Sequence, residues 1–314
     1  MSGATTEPEK QSATRLPPEK AARLMKLATY ASVSVASILI ASKFTAWLFT
    51  DSVSLLSTLI DSFLDAGASL VNLIAVRHAL EPADRDHRFG HGKAEPLAGL
   101  AQAAFICGSA GFLVIEASER LFHPKGIENT DIGYAVMGLA IVLTLCLVAF
   151  QRYVVGKTGS IAITADSVHY QMDILVNAGV IASLWLVGAF AWVLADPIIA
   201  LIIAAYILWG AWKIGIMAYH MLMDRELDEA ERQKIIDIAL AHAEVRGLHD
   251  LRTRASGNNV FIQMHIEMDG DFSLLQAHAV SDAVEASVMA AFPNAEVLIH
   301  SDPEGLEENL GVFR

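Results

Sequence analysis

Six apolar stretches occupy the first two thirds of the chain, at about residues 27–49, 52–80, 95–121, 131–154, 160–194 and 197–221. Each is close to the roughly 20 residues that cross a bilayer core, and short polar gaps separate them. The first two meet around Thr50-Asp51, and the third and fourth are joined by "HPKGIENTD". The fifth and sixth meet at Asp196-Pro197, a pair through which helices seldom continue. Glycine and alanine are frequent inside the stretches, as expected where helices pack closely in lipid. The pattern predicts six transmembrane helices.

After Met223 the periodicity changes to that of a folded aqueous domain. "LDEAERQKIIDIALAHA" predicts a helix with Asp228 as N-cap and Glu231 three residues on. "RGLHDLRTRAS" and "NVFIQMHIEM" predict two strands around a Gly257-Asn258-Asn259 turn. "SLLQAHAVSDAVEASVMAAF" predicts a second helix capped by Ser273, and "EVLIHSD" a last strand. The order αββαβ implies a small two-layer α+β domain with its helices on one sheet face. The expected organisation is a disordered cytoplasmic tail over 1–24, a transport domain over 25–223, a cytoplasmic domain over 224–303 and a C-terminal tail over 304–314.

Composition agrees with a membrane protein: 54% of residues are hydrophobic and only 18% charged, with a mean hydropathy of +0.44. The two cysteines, Cys107 and Cys146, lie in apolar runs and are expected as small core residues. Of the formal charge of −13, most belongs to the tail, where seven Lys/Arg from Arg225 onward face seventeen Asp/Glu. That balance argues against nucleic acid as a partner and suits a cation, or equally a solubilising acidic surface. Basic residues set the orientation. Lys10, Arg15, Lys20, Arg23 and Lys26 precede the first span. Arg77, Arg85, Arg88 and Lys93 follow the second, and Arg152 and Lys157 the fourth. Only Arg120 and Lys125 lie on the opposite side, so both termini are expected in the cytoplasm. Lys43, inside the first span, is expected to snorkel to the outer surface.

Ionisable groups in lipid are costly and mark function. The second span carries Asp61 and Asp65, and the fifth His169 and Asp173. Each pair is spaced i,i+4 and so faces one way. At 1.5 Å per residue, Asp61 and Asp65 lie about 15 and 21 Å below the outer face. His169 and Asp173 lie about 16 and 10 Å below it in a core of about 30 Å. The pairs therefore meet near the midplane. Three carboxylates and an imidazole suit tetrahedral Zn²⁺ and are tolerable ligands for Fe²⁺, Mn²⁺ or Cd²⁺. These groups must release protons to ligate a metal, so metal and proton compete there. In the loop "EPADRDHRFGHGKAEP", Asp84, His87 and His91 have spacings that share one side of a helical turn, although Gly90 and Gly92 oppose a regular helix. The tail holds His242, His249, His265, His278 and His300, with Asp302 close by. Strand alternation leaves His265 on the polar face.

These motifs are specific together. The paired D-x3-D and H-x3-D, with "FGHGKAE" after the second span, resemble the cation diffusion facilitators, proton-coupled exporters of divalent transition metals. The likeness is greatest to their bacterial iron- and zinc-efflux subgroup and covers about residues 20–303. It implies that Asp61, Asp65, His169 and Asp173 form the transport site, and Asp84, His87 and His91 a loop site. It implies a binuclear site at His249, His265, His300 and Asp302, with His278 as an additional ligand, in a ferredoxin- or metallochaperone-like domain. Metal there would draw together the cytoplasmic domains of a homodimer in the bacterial inner membrane. Lys93 and Asp224 match a charge pair joining the membrane part to the tail. Ser301 stands where relatives often have a larger polar residue. Aspartate at position 61 is similar to members that accept cadmium and iron besides zinc. No prosthetic group is implied; Zn²⁺, Fe²⁺ or Cd²⁺ is expected as substrate and as a regulatory or structural ion, with protons and lipid as the other partners.

Three rival readings stand beside this one. An intramembrane metalloenzyme is expected to carry H-E-x-x-H, and a nucleotide-driven pump G-x-x-x-x-G-K-[ST]; neither occurs. A metal sensor merely anchored by its spans leaves the four midplane residues unexplained.

Overall fold

The computed structural model describes residues 17–50, 53–122, 131–190, 192 and 194–305. The expected tails over 1–16 and 306–314, the Asp51 turn and the loop over 123–130, with Lys125, lie outside these residues. Six long helices come first: α1 (Pro18–Thr50), α2 (Val53–Ala79), α3 (Ala94–Phe122), α4 (Asp131–Thr158), α5 (Ile161–Phe190) and α6 (Ala195–Leu222). At 27 to 33 residues each, they reach about 40–50 Å. Five of them, all but α5, are long and apolar enough to cross a membrane among the described residues.

Their boundaries follow local chemistry. α1 starts at Pro18, so residues 18–24, expected in a disordered tail, are helical. Proline at the first helical position has no N–H to satisfy, and Pro17 O accepts from the amides of Lys20 and Ala21. Met25 and Ala21 are buried, which ties this turn down. Between α4 and α5 the chain turns on Gly159, at φ +66°. Ser160 then caps α5, its Oγ accepting from Ile163 N at 3.2 Å. Asp196-Pro197 does not form the α5–α6 turn as the sequence suggested. It lies in the first turn of α6, where a missing amide costs no hydrogen bond.

The bundle is inverted relative to a water-soluble one. Its buried positions are rich in small residues, among them Ala28, Ala103, Ala110, Ala165, Ala204, Ala211 and Ala218. Large side chains such as Phe63, Phe112, Ile115, Trp185 and Trp212 point outward. Small residues let helices approach, while the apolar exterior suits hydrocarbon rather than water. Cys107 and Cys146 are on this exterior, not in the core as expected. α5 is the central helix and packs against each of the other five. Lys43 is tied to α2. It donates to Thr58 O at 3.1 Å and to Ser62 Oγ at 2.6 Å.

The second domain comprises α7 (Glu229–Leu240), β1 (Gly247–Ser256), β2 (Asn259–Met268), α8 (Leu274–Ala291) and β3 (Ala295–Pro303). The sheet order is β1-β2-β3, with β1 antiparallel and β3 parallel to the central β2. Val260, Ile262, Met264, Ile266 and Met268 alternate into a core closed by Ile235 and Ala239 of α7 and Val284 and Val288 of α8. Ser273 and Gln276 form the complete capping box of α8. Asp228 occupies the N-cap of α7 but its side chain makes no capping hydrogen bond.

Candidate metal centres

The first cluster joins α2 to α5. One ligand atom from each of Asp65, His169 and Asp173 lies within 4.8 Å of the others. His169 is buried, with Nε2 3.1 Å from Asp65 Oδ1. That approach is out of line for a hydrogen bond, and neither ring nitrogen has a hydrogen-bond partner. A buried imidazole with two unpartnered nitrogens beside two carboxylates is a donor set shaped for a cation. Phe105 lies edge-on to the imidazole, with centroids 5.7 Å apart. Asp61, expected as a fourth ligand, is exposed one turn away, and it is not part of the triad of mutually close ligand atoms.

Beside this cluster lies a polar layer that sequence reasoning missed. Asp166 of α5 is buried, accepts from Gln151 Nε2 of α4 at 2.7 Å, and accepts from Ser32 Oγ of α1. Tyr170 Oη pairs with Ser69 of α2 at 2.9 Å and donates to Ser32 O at 3.2 Å. The legible signal was a second carboxylate in the fifth apolar stretch, three residues before His169.

The second cluster is in the loop between α2 and α3. Asp84, His87 and His91 come together, although the loop is irregular and not the helical turn their spacing suggested. An aspartate turn does the work: Asp84 Oδ1 accepts from the amides of His87 at 2.6 Å and Asp86 at 2.9 Å. The hydrogen bond from the His87 amide, foremost, holds the Asp84 carboxyl below its ordinary range. Asp84 Oδ2 is 3.3 Å from His91 Nε2, and Oδ1 is 3.4 Å from His87 Nδ1. His78 and Glu81 also come within reach of His91. Nothing in the sequence reading pointed to them.

The third cluster is a row across the sheet. His265 on β2 stands opposite His249 on β1 and beside His300 on β3. A bulge sets this row: between the pairs His249–His265 and Arg252–Gln263, β1 has two residues where β2 has one. Asp250, in the bulge, adopts φ +49°. Buried Asp302 gathers the row, at 2.8 Å from His265 Nδ1, 3.1 Å from His300 Nε2 and 3.5 Å from His249 Nε2. Only His249, His265 and Asp302 form a mutually close triad, with Glu267 3.7 Å from His249 as a neighbour the sequence reading did not single out. His278 is not in this triad; on α8 it is 3.4 Å from Asp282 and 68% exposed. The Ser301 hydroxyl pairs with Ser281 of α8 at 2.8 Å rather than turning to the row.

The two domains meet at the expected charge pair. Lys93 Nζ is 3.0 Å from Asp224 Oδ1, and Arg254 reaches the same carboxylate at 3.4 Å. The Arg254 guanidinium lies 5.0 Å from the Phe89 ring centroid and 4.6 Å from that of Phe261.

An inverted helical bundle with ionisable side chains at its centre, continued by a small α/β domain, defines a multi-pass membrane protein. Residues 29–223 match the family model for the cation efflux transmembrane domain, and residues 227–304 that for the cation efflux protein cytoplasmic domain. The chain is 50% identical over 283 residues to the cation-efflux pump FieF of Shewanella oneidensis, covering 90% of this chain and 95% of that one. It is 48% identical over 282 residues to the pump of that name from Serratia proteamaculans, covering 90% and 94%. A solved structure, the metal-bound C-terminal domain of the CzcD transporter from Thermotoga maritima, is 27% identical over 26% of this chain and 100% of its own, with a TM-score of 0.25. The chain belongs to the cation efflux family, the cation diffusion facilitators of the sequence reading. It is a transporter, not an enzyme.

Proposed function

We propose that this protein exports divalent transition-metal ions, Zn²⁺ or Fe²⁺ with Cd²⁺ and Mn²⁺ accommodated, in exchange for protons. The supporting observation is the Asp65–His169–Asp173 triad, whose imidazole has no hydrogen-bond partner for either nitrogen. Asp61, one turn along α2, completes the transport site when α2 shifts against α5. Metal and protons compete for these groups, so an inward proton gradient drives metal outward. α5 also crosses the membrane, which makes six spans in all, and the chain sits in a bacterial inner membrane with both termini cytoplasmic. It works as a homodimer, whose cytoplasmic domains approach when metal binds at His249, His265, His300 and Asp302. Asp84, His87 and His91 form the loop site, and the Lys93–Asp224 pair couples the two domains.

The test is simultaneous recording of metal and internal pH in sealed proteoliposomes. Zn²⁺, then anaerobic Fe²⁺, is offered against an imposed pH gradient. Wild-type protein should move metal and protons in opposite directions, with the flux abolished in Asp173→Ala. Metal flux that leaves internal pH unchanged would sink the exchange mechanism. Flux that survives in Asp173→Ala would move the transport site elsewhere.

A further inference from the structure

His78 lies in the last turn of α2, and Glu81 follows where the chain turns, its amide donating to His78 O at 3.0 Å. That turn puts both side chains on one side, with His78 Nδ1 2.8 Å from Glu81 Oε2. As an exposed i,i+3 pair they would contribute little to stability. The third member changes that reading. The His91 ring stands 4.4 Å from that of His78, and one ligand atom from each of His78, Glu81 and His91 lies within 4.8 Å of the others.

The two nitrogens of His91 have different surroundings. Nε2 faces Asp84 Oδ2 at 3.3 Å, whereas Nδ1 is buried with no hydrogen-bond partner. An unpartnered nitrogen on a buried ring, beside an imidazole and a carboxylate, is a donor placed to bind a Lewis acid. The donor set of two imidazoles and one carboxylate suits Zn²⁺ or Fe²⁺. His78 and Glu81 are half exposed, so water can fill the remaining coordination positions.

We propose that His78, Glu81 and His91 form a second divalent-metal position on this loop, which shares His91 with Asp84 and His87 and is filled in alternation with them. The alternation follows from imidazole chemistry. A neutral ring has one lone-pair nitrogen and one N–H. Metal on Nδ1 leaves the proton on Nε2, which then donates to Asp84 and fixes the ring's orientation. Metal on Nε2 moves the proton to Nδ1, and His78 and Glu81 lose their shared ligand. One ion thus has two adjoining seats, and the tautomer of His91 decides between them. The proposal rests on the export reading only for the class of ion.

The experiment uses the full chain in lipid nanodiscs, with the other two centres disabled by Asp173→Ala and His265→Ala. Zn²⁺ is titrated against a chromophoric chelator. The loop of this background chain should bind one equivalent. Asp84→Asn/His87→Gln should still bind one, about ten- to a hundredfold more weakly. His78→Gln/Glu81→Gln should likewise keep one, and His91→Gln none. With cobalt in place of zinc, the two double variants should give different visible spectra, because their remaining ligands differ. If Asp84→Asn/His87→Gln, monodisperse and folded, binds no ion, this proposal falls while the loop site stands. Two equivalents in the background chain would overturn the alternation. None there would overturn both loop readings, and export through α2 and α5 would still be decided separately by the proteoliposome flux.

Discussion

At the scale of single residues, Asp84 carries two duties. Its Oδ1 closes a backbone turn by accepting two amides, and its Oδ2 faces His91. The bonds from those amides favour the ionised form, which lowers the carboxyl's affinity for a proton. A group with a depressed folded-state pKa contributes stability that is present above its unfolded value and lost as pH falls through the folded one. The turn should therefore persist as pH drops from 7 to about 4, the ordinary range of an aspartate, and open only below it. Amide chemical shifts of Asp86 and His87 along an acid titration would report this; opening above pH 5 would contradict it. Asp302 acts on a larger group, since one buried carboxylate aligns three imidazoles. Ser301 beside it takes no part in that alignment, because its hydroxyl is engaged by Ser281.

Among elements, α5 bears most of the constraint. The carboxylate of Asp166 links it to α1 and α4, and the Tyr170 hydroxyl links it to α1 and α2. Removing a buried acceptor strands its donors, so Asp166→Ala should destabilise the bundle by about 1–3 kcal/mol. Thermal unfolding in detergent should show the loss, with Asp166→Asn recovering part of it. Equal midpoints for the alanine variant and wild type would mean that the layer does not hold these helices. Which parts of this were legible in the sequence is a matter of range. His265 and the inward row from Val260 to Met268 were readable because strand periodicity is local. Asp65, His169 and Asp173 were readable because i,i+4 spacing and depth are both arithmetic. Asp166 was not singled out, since its partners Ser32 and Gln151 are common polar residues in distant helices. His78 and Glu81 were missed because an irregular loop, not a period, returns His91 to them. The start of α1 was placed too late because polarity was read as disorder, although Pro18 and Glu19 suit a first helical turn.

For the whole molecule, the seam between domains is small and charged. Gly92 lies against the end of β1, where an added Cβ would stand 2.2 Å from Ser256 O. Only a glycine allows that approach. Next to it, Lys93, Asp224 and Arg254 form a cluster with side chains partly open to water. Such exposed pairs contribute about 0.2–1 kcal/mol each, so the seam is suited to coupling rather than to rigidity. Lys93→Asp and Asp224→Lys should each loosen the domains, and the exchange of both should restore much of the coupling. Distances between fluorophores on the bundle and on α8 would measure it. A double variant no better than either single one would show that the pair does not join the domains.

The bulge in β1 has a consequence for how this domain tolerates insertions and deletions. Were the same residues paired regularly from Arg252 and Gln263, with no bulge, Asp250 and not His249 would stand opposite His265, and His249 would turn toward the hydrophobic layer. Deleting Asp250 would leave Leu251 opposite Met264 and His249 still opposite His265. The histidine row is thus indifferent to losing one residue at this point. It has no such slack for gaining one, since a further residue needs a wider bulge or sets Asp250 opposite His265 in place of His249. Descendants of this sequence can shorten β1 here by one residue and keep the histidine row aligned, but they cannot lengthen it as cheaply.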